Sequence, residues 1–324
     1  MPFRSLIRRR RAVGLALGEG AARGLAHIGV LQVLHNAKIR IEYIAGTSAG
    51  ALVGGLYAAG LSPEVMKRLV TRDRFKTLNK IFMPTFPHGG LFDGKRVSDF
   101  IGTIVGERTI EELKIPFAAV ATDFITGDEV ILRSGLLKEA IRASTCIPGV
   151  FSPPWLGDHL LCDGALVNPV PVDVVRKMGA DIVIAVNLTP TLRLRDKKPV
   201  LNLQQMIRIE NHKQSNRRDR LLNSFFEQFD KKNLFRSKIQ RLFPQKSSEE
   251  REVPFGMLEA LTHALSILYA RNFYQRSAQN RPNFVLEPGV GSFSIMDFDK
   301  GEEIISAGEQ CALEQIQMIV AQVT

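Results

Sequence analysis

Ser48 lies in the segment Gly46-Thr-Ser-Ala-Gly50, in which two glycines flank a serine at the spacing G-x-S-x-G. In a nucleophile elbow, glycines at these positions allow a tight turn from a strand into a helix, and the serine stands at the helix N-terminus. A chain with 26 glycines can also produce this spacing by chance. The pattern alone therefore indicates either a serine nucleophile or a serine in an ordinary loop.

A serine nucleophile needs a group that accepts its proton. Asp163 is a candidate because it follows a short apolar run, although an Asp-Gly pair is also typical of a turn. An exposed aspartate, with a pKa of about 3.9, is a weak base, so Asp163 would need a water-poor pocket such as the apolar residues 146–155 provide. The other candidates are the histidines, none of which has a sequence context that favours catalysis: His27, His35, His88, His159, His212 and His263.

A second glycine-rich segment lies nearer the N-terminus and has three interpretations. It can be a dinucleotide loop, with Glu42 as the acid that binds a ribose near the end of the next strand. It can be an oxyanion hole, in which backbone N–H groups at a helix N-terminus face developing negative charge. It can also be a tight turn without a ligand. The residues concerned are Gly18, Glu19, Gly20, Ala21, Ala22, Arg23 and Gly24.

The elements around these two segments favour chemistry at one edge of a sheet. Buried strands are predicted at residues 13–17 and 39–45, each followed by a glycine-rich turn and a helix, at 22–35 and 49–59. Because the carboxyl ends of parallel strands share one edge, the first turn can supply N–H donors and the second a hydroxyl. Further elements are predicted as strands at 117–122, 129–132, 181–187 and 284–286, and as helices at 136–143, 172–178, 254–275 and 302–324. Strands that alternate with helices predict a mostly parallel sheet with helices on both faces.

The charge and the cysteines limit the compartment and the partners. The net charge of +10 is concentrated at residues 1–12, with five Arg and no acid, and at 191–250, with 15 Lys and Arg against 7 Asp and Glu. Three cysteines without a CxxC pair indicate a reducing compartment and neither a disulfide framework nor a zinc site. We expect no export signal, because Glu19 and Arg23 interrupt the apolar run after Arg11, and no membrane span, because no run of 18 apolar residues occurs.

The basic internal segment has the composition of an interfacial helix, with aromatic residues for acyl chains and cations for anionic headgroups. A helical hairpin packed on the body, with a solvated charged face, is the alternative. Nothing in the segment resembles a nucleic-acid-binding module, so we expect no nucleic-acid partner. The residues expected to contact a membrane are Phe225, Phe226, Phe229, Lys231, Lys232, Phe235, Arg236 and Lys238.

Several motifs in order resemble the patatin-like phospholipase family, in particular its bacterial branch related to neuropathy target esterase. They are residues 15–34, LALGEGAARGLAHIGVLQVL; 44–60, IAGTSAGALVGGLYAAG; 141–154, IRASTCIPGVFSPP; 161–188, LCDGALVNPVPVDVVRKMGADIVIAVNL; and 297–312, DFDKGEEIISAGEQCA. The resemblance covers roughly residues 12–190 and 254–312. It implies a three-layer α/β/α fold with a mostly parallel central sheet and a nucleophile elbow.

For the site, the resemblance implies a Ser48–Asp163 dyad that needs neither metal nor cofactor. It also implies an oxyanion loop at residues 18–24, with the N–H groups of Gly20 and Ala21 as the first donors to consider. Glu19 departs from the family's glycine run. A carboxylate there would oppose the developing charge, so we expect its side chain to point outward or to cap the helix.

The function implied is lipid acyl hydrolysis, on phospholipids or lysophospholipids, by an enzyme that is cytoplasmic or peripheral on an anionic inner membrane face. The alternatives are an esterase or thioesterase on soluble acyl substrates, a dinucleotide-binding protein, and a non-catalytic membrane-associated scaffold. Four regions are predicted: a basic arm at 1–12, a catalytic core at 13–190, a basic amphipathic insertion at 191–253, and C-terminal helices with a strand that complete the catalytic domain at 254–324.

Overall fold

The computed structural model describes residues 10–72, 90–189 and 257–323. The described residues up to 189 and from Leu265 onward form one compact unit. The first residues of the helix that begins at Met257 belong to a second unit, residues Leu192–Ala264, most of which lies outside the described residues. The predicted membrane-contact residues between Phe225 and Lys238 also lie outside them, as does most of the basic arm.

The described strands and helices alternate along much of the chain. The strands are β1 Val13–Leu17, β2 Tyr43–Thr47, β3 Gly90–Phe92, β4 Phe117–Asp123, β5 Glu129–Leu132, β6 Gly149–Phe151, β7 Trp155–Leu156, β8 His159–Asp163, β9 Ile182–Val186 and β10 Phe284–Leu286. The helices are α1 Ala26–Asn36, α2 Ala49–Ala58, α3 Pro63–Arg72, α4 Lys95–Val105, α5 Leu137–Ser144, α6 Val172–Met178, α7 Met257–Gln279 and α8 Gly301–Val323. A short 3-10 helix, Ala21–Leu25, precedes α1.

The main sheet has the strand order β10-β9-β1-β2-β4-β8-β7, and β5 also pairs with β4. Five strands, β10 to β4 in this order, are parallel, whereas β5, β7 and β8 are antiparallel to their neighbours. Every residue of β1, β4 and β9 is buried, as is typical of parallel strands covered on both faces. The fold is therefore the expected α/β arrangement with a mostly parallel sheet.

The two faces of the sheet bury different helices. On one face, Val174 and Val175 of α6 and Phe273 of α7 pack against small side chains of the central strands, among them Ala45 and Ala118. The other face is covered by α2, against which α1 packs, and α1 in turn packs closely against the C-terminal helix α8. In that contact, Gly308 of α8 approaches so near that an added Cβ would lie 2.0 Å from the carbonyl oxygen of Ala26.

The antiparallel strand β8 is the part of the sheet that most affects the site. Thr47 at the end of β2 pairs with Val120 of β4, and the next residue of β4, Ala121, pairs with Asp163 at the end of β8. β2 and β8 thus run in opposite directions but end at the same level of the sheet. Ser48 is the residue that directly follows β2. Among the helices of the described ranges, none is long and apolar enough to cross a membrane.

Candidate active site

Ser48 stands on a strained turn between β2 and α2. Its φ of 56° and ψ of −121° are rarely adopted by a residue with a side chain. The flanking glycines are required by contact, because a Cβ on Gly46 would lie 2.3 Å from Gly50 O and one on Gly50 would lie 2.1 Å from Leu17 O. The turn therefore has the geometry of a nucleophile elbow, with the serine as the N-cap of α2.

Ser48 and Asp163 are joined by a short hydrogen bond. The Ser48 hydroxyl donates to Asp163 Oδ2 at 2.6 Å, and the Ala165 N–H donates to Asp163 Oδ1 at 2.9 Å. Both side chains are buried, Ser48 with 4% and Asp163 with 1% of its surface exposed. The structure thus brings together the two residues that the sequence singled out from positions 115 residues apart.

The environment of Asp163 adjusts its acidity toward neutral pH. Burial raises the pKa of its carboxyl to about 7, and the negative charge of Glu19 acts in the same direction. The hydrogen bonds from Ser48 and Ala165 oppose this rise, because they stabilise the carboxylate. A carboxylate of this kind can take the proton of a neighbouring hydroxyl far more readily than an exposed aspartate can.

Three buried hydroxyls hold the two candidate residues in place. Ser144 Oγ accepts the Ser48 N–H at 2.9 Å, Thr47 Oγ1 donates to Asn168 O at 2.8 Å, and Thr122 Oγ1 donates to Asp163 O at 2.9 Å. Thr47 lies in the motif of residues 44–60 and Ser144 in that of residues 141–154. The sequence gives no sign of these roles, because a side chain that bonds only to backbone has no characteristic spacing.

The glycine-rich loop Gly18–Gly24 lies beside the elbow, because Gly50 is tightly packed against Leu17 and Gly18 at the end of β1. Much of its backbone is already engaged. The N–H groups of Gly18, Glu19, Ala22 and Arg23 donate to the carbonyl oxygens of Val186, Pro169, Ile295 and Gly20, respectively.

Gly20 and Ala21 are different, since their N–H groups have no carbonyl acceptor among the described residues. Ala21 also has a φ of 48°, a second strained position close to the elbow. These two N–H groups are the ones in the loop that remain available to bind an oxyanion.

The side chain of Glu19 does not point outward, and it does not cap the helix. Its Oε1 accepts a hydrogen bond from Thr189 Oγ1 at 2.7 Å, and burial raises its pKa. A negative charge on Glu19 also raises the pKa of Asp163. The expectation of an outward side chain is wrong, because the buried hydroxyl of Thr189 binds the carboxylate. Thr189 lies shortly after β9, the strand that pairs with β1.

The position of Glu42 does not fit the dinucleotide interpretation. Glu42 precedes β2 rather than ending it, and its carboxylate accepts the Val13 N–H at 2.8 Å. Since Val13 begins β1, Glu42 lies at the amino edge of the sheet, opposite the glycine loop. A ribose bound near that loop would not reach it.

Two histidines of the described residues, His27 and His159, are engaged elsewhere. His27 is buried on α1, where its Nε2–H donates to Gly18 O at 2.8 Å, and burial lowers its pKa to about 4. His159 lies at the start of β8, where its Nδ1 is 2.7 Å from Asp123 Oδ2. Within residues 10–72, 90–189 and 257–323, no group of three His, Cys, Asp or Glu side chains could hold a metal ion. His88 and His212 lie outside the described residues.

The chain is similar to several known proteins. A family model described as patatin-like phospholipase matches residues 15–176. An uncharacterized NTE family protein of Mycobacterium tuberculosis is 42% identical over 179 residues, which cover 54% of this chain and 49% of that protein. Human patatin-like phospholipase domain-containing protein 6 is 34% identical over 183 residues, which cover 54% of this chain and 13% of that protein.

Among solved structures, VipD from Legionella pneumophila aligns with a TM-score of 0.46 at 11% identity and covers 95% of this chain and 67% of that chain. The match to the mycobacterial relative spans about half of that protein's length, and the match to the human protein spans a much smaller part.

Proposed function

Because this chain belongs to the patatin-like phospholipase family, we propose that it hydrolyses acyl esters of phospholipids or lysophospholipids through Ser48 and Asp163. The observation that carries the proposal is the 2.6 Å hydrogen bond between the buried Ser48 hydroxyl and the Asp163 carboxylate. A nucleophile on a strained turn, a base within hydrogen-bond distance and unpaired N–H groups beside them are the parts that acyl transfer requires.

In the first half-reaction, Asp163 Oδ2 accepts the Ser48 proton while Oγ attacks the ester carbonyl carbon. The carbonyl oxygen takes up the negative charge, and the N–H groups of Gly20 and Ala21 donate to it. The bond between the carbonyl carbon and the alcohol oxygen then breaks. The alcohol leaves with the proton from Asp163, and the acyl group remains on Ser48.

In the second half-reaction, water replaces the alcohol. Asp163 takes a proton from the water as its oxygen attacks the acyl-enzyme, and the same N–H groups stabilise the second oxyanion. Collapse returns the proton to Ser48 Oγ and releases the fatty acid. A carboxylate whose pKa lies near 7 can perform both transfers at neutral pH, as an acid and as a base.

The buried state of the site supports an apolar acyl substrate. Both candidate residues are almost fully buried, so little water surrounds Ser48, and an apolar acyl chain suits such surroundings better than a polar substrate does. An anionic membrane surface is part of the proposal through the basic segment of residues 191–253, which lies outside the described residues. Soluble acyl esters and thioesters would use the same chemistry, and the test below separates them.

A fluorophosphonate, which reacts with activated serines, and fatty-acid release from anionic phospholipid vesicles test the two halves of the proposal. We expect the wild type to be labelled and to release fatty acid, Ser48→Ala to lose both, and Asp163→Asn to lose hydrolysis. Ser134→Ala, which removes an exposed serine hydroxyl, is the matched control and should behave as the wild type.

Labelling without fatty-acid release would retain the serine enzyme and replace the lipid by a soluble ester or thioester. Unchanged hydrolysis by folded Ser48→Ala would refute the proposed site.

A further inference from the structure

Tyr269 of α7 carries a buried hydroxyl that the proposed mechanism does not use. Only 7% of the residue is exposed, and its hydroxyl has no hydrogen-bond partner among the described residues. A buried hydroxyl without a partner costs about 1–3 kcal/mol, so most such groups in proteins are paired. The Tyr269 hydroxyl is therefore a donor that a bound ligand could satisfy.

The face of α7 that carries Tyr269 packs on the turn that follows Asp163. Asn272 and Arg276 follow Tyr269 by three and seven residues, so the three side chains share one face of the helix. Asn272 Nδ2 donates to Leu166 O at 2.7 Å, and Arg276 Nη1 is 3.4 Å from Val167 O.

This contact has a direction. From Arg276 to Asn272, one turn toward the start of α7, the partner moves from Val167 to Leu166, that is, toward Asp163. By continuation along the same face, the next turn of α7, which carries Tyr269, is expected to lie toward Asp163. Ion pairs of Arg276 with Glu129 at 3.0 Å and with Asp173 at 3.2 Å fix this register.

The electrostatic surroundings of Tyr269 agree with this position. Burial raises the pKa of its hydroxyl most, and the charges of Asp163, Glu19 and Cys162 raise it further. Asp163 is the proposed base, and Glu19 belongs to the glycine-rich loop Gly18–Gly24. These effects favour the protonated form of the Tyr269 hydroxyl, which can act as a hydrogen-bond donor.

We propose that the Tyr269 hydroxyl donates a hydrogen bond to the alcohol oxygen of the bound acyl ester and so favours alkyl esters of the glycerol type. This inference rests on the proposed function. The oxyanion already has donors in Gly20 and Ala21, whereas the alcohol leaves on the side of Asp163, which protonates it. As the ester bond breaks, negative charge grows on the alcohol oxygen, and a donor beside Asp163 stabilises that charge.

The test compares two esters that have the same acyl chain. In a lysophospholipid the leaving group is a glycerol alkoxide, which needs a donor, whereas in a p-nitrophenyl ester the leaving phenolate spreads its charge by resonance. Tyr269→Phe removes one hydrogen bond, so kcat/KM for the lysophospholipid should fall about five- to tenfold. kcat/KM for the nitrophenyl ester and the rate of fluorophosphonate labelling should change by less than about twofold.

Tyr274→Phe is the matched control, since it removes the hydroxyl of an exposed tyrosine five residues further along the same helix. It should leave both esters at the wild-type rate. An equal loss on both esters in Tyr269→Phe would show a structural role, and wild-type rates on both would show no role; either result overturns the inference.

Failure of the proposed function gives a different result. If the wild type hydrolyses the lysophospholipid and Ser48→Ala does not, the proposed function is supported whatever the result for Tyr269→Phe. An inactive wild type would overturn both proposals together.

Discussion

The backbone N–H of Ser48 donates to Ser144 Oγ at 2.9 Å, and the Ser144 hydroxyl donates in turn to the Val120 carbonyl oxygen at 2.6 Å. This chain of hydrogen bonds joins the elbow to the end of α5 and to the middle of β4. It satisfies a buried N–H at a residue whose backbone is strained. The strained turn at Ser48 is therefore stabilised by α5, which contributes no group to the proposed reaction.

Replacement of Ser144 by alanine should weaken both stability and turnover. The Ser48 N–H and the Val120 carbonyl would each lose a buried partner, at a cost of about 1–3 kcal/mol. With the elbow less fixed, kcat should fall more than KM changes. Urea unfolding and hydrolysis of a nitrophenyl ester measure the two effects.

Ser98→Ala is the control for Ser144→Ala, because Ser98 is equally buried but bonds to Glu139 on α5. It should lower stability and leave the activity per folded molecule unchanged. Wild-type turnover in folded Ser144→Ala would show that the elbow holds its geometry without this bond.

The rate should depend on pH through Asp163. Because a base acts only when deprotonated and burial raises the pKa of this carboxyl to about 7, kcat/KM should rise with pH and level off above about 7. Below that value it should fall roughly tenfold for each pH unit. An uncharged nitrophenyl ester, measured between pH 5 and 9, excludes ionisation of the substrate. A flat profile across neutrality would contradict Asp163 as the base.

Glu19 should set part of that pH dependence. Its negative charge raises the pKa of Asp163, so Glu19→Gln should move the midpoint of the profile to lower pH. The amide of glutamine keeps an oxygen to accept the Thr189 hydroxyl, so the loop should stay in place. Glu42→Gln, at the opposite edge of the sheet, serves as the control and should leave the midpoint unchanged. A midpoint that stays in place in Glu19→Gln would show that the two carboxyls do not interact, and an upward move would contradict the predicted sign of the interaction.

A side chain at position 308 should lower the stability of the protein. Alanine gains about 1 kcal/mol over glycine within a helix, but the added Cβ would lie 2.0 Å from a backbone oxygen of α1. Overpacking of a rigid contact costs about 1–3 kcal/mol, so Gly308→Ala should lower the melting temperature. Gly289→Ala, with no heavy atom of the described residues within 4 Å of the new Cβ, should leave it unchanged or raise it slightly. Equal melting temperatures for the two variants would mean that α1 and α8 can separate without cost.

Much of the fold could be predicted from the residue pattern, since propensity and burial agree along most elements. β5, α6 and β10 have the predicted bounds, and both glycine-rich turns follow strands that end at one edge. The apolar pattern predicts a start of β2 that is too early, because Ile39 and Ile41 are buried in the segment before the strand. For the same reason the pattern predicts Glu42 at the wrong edge of the sheet.

The parts that escaped prediction depend on contacts between distant segments. The direction of β8 follows from its pairing with β4, which no local pattern encodes. The inward side chain of Glu19 depends on Thr189, 170 residues away in the chain. Tyr269 reads as one more apolar position of a long helix, and only its orphaned hydroxyl distinguishes it.

The contact between Gly29 of α1 and the backbone of α8 joins the two ends of the described chain, since an added Cβ on Gly29 would meet Ile305 O. α1 directly follows the 3-10 helix of the glycine loop, yet it is covered by a helix from the other end of the described chain. The surroundings of the loop beside Ser48 therefore depend on two segments that are far apart in sequence. A chain in which α8 has not docked would hold Ser48 and Asp163 next to an α1 without its cover.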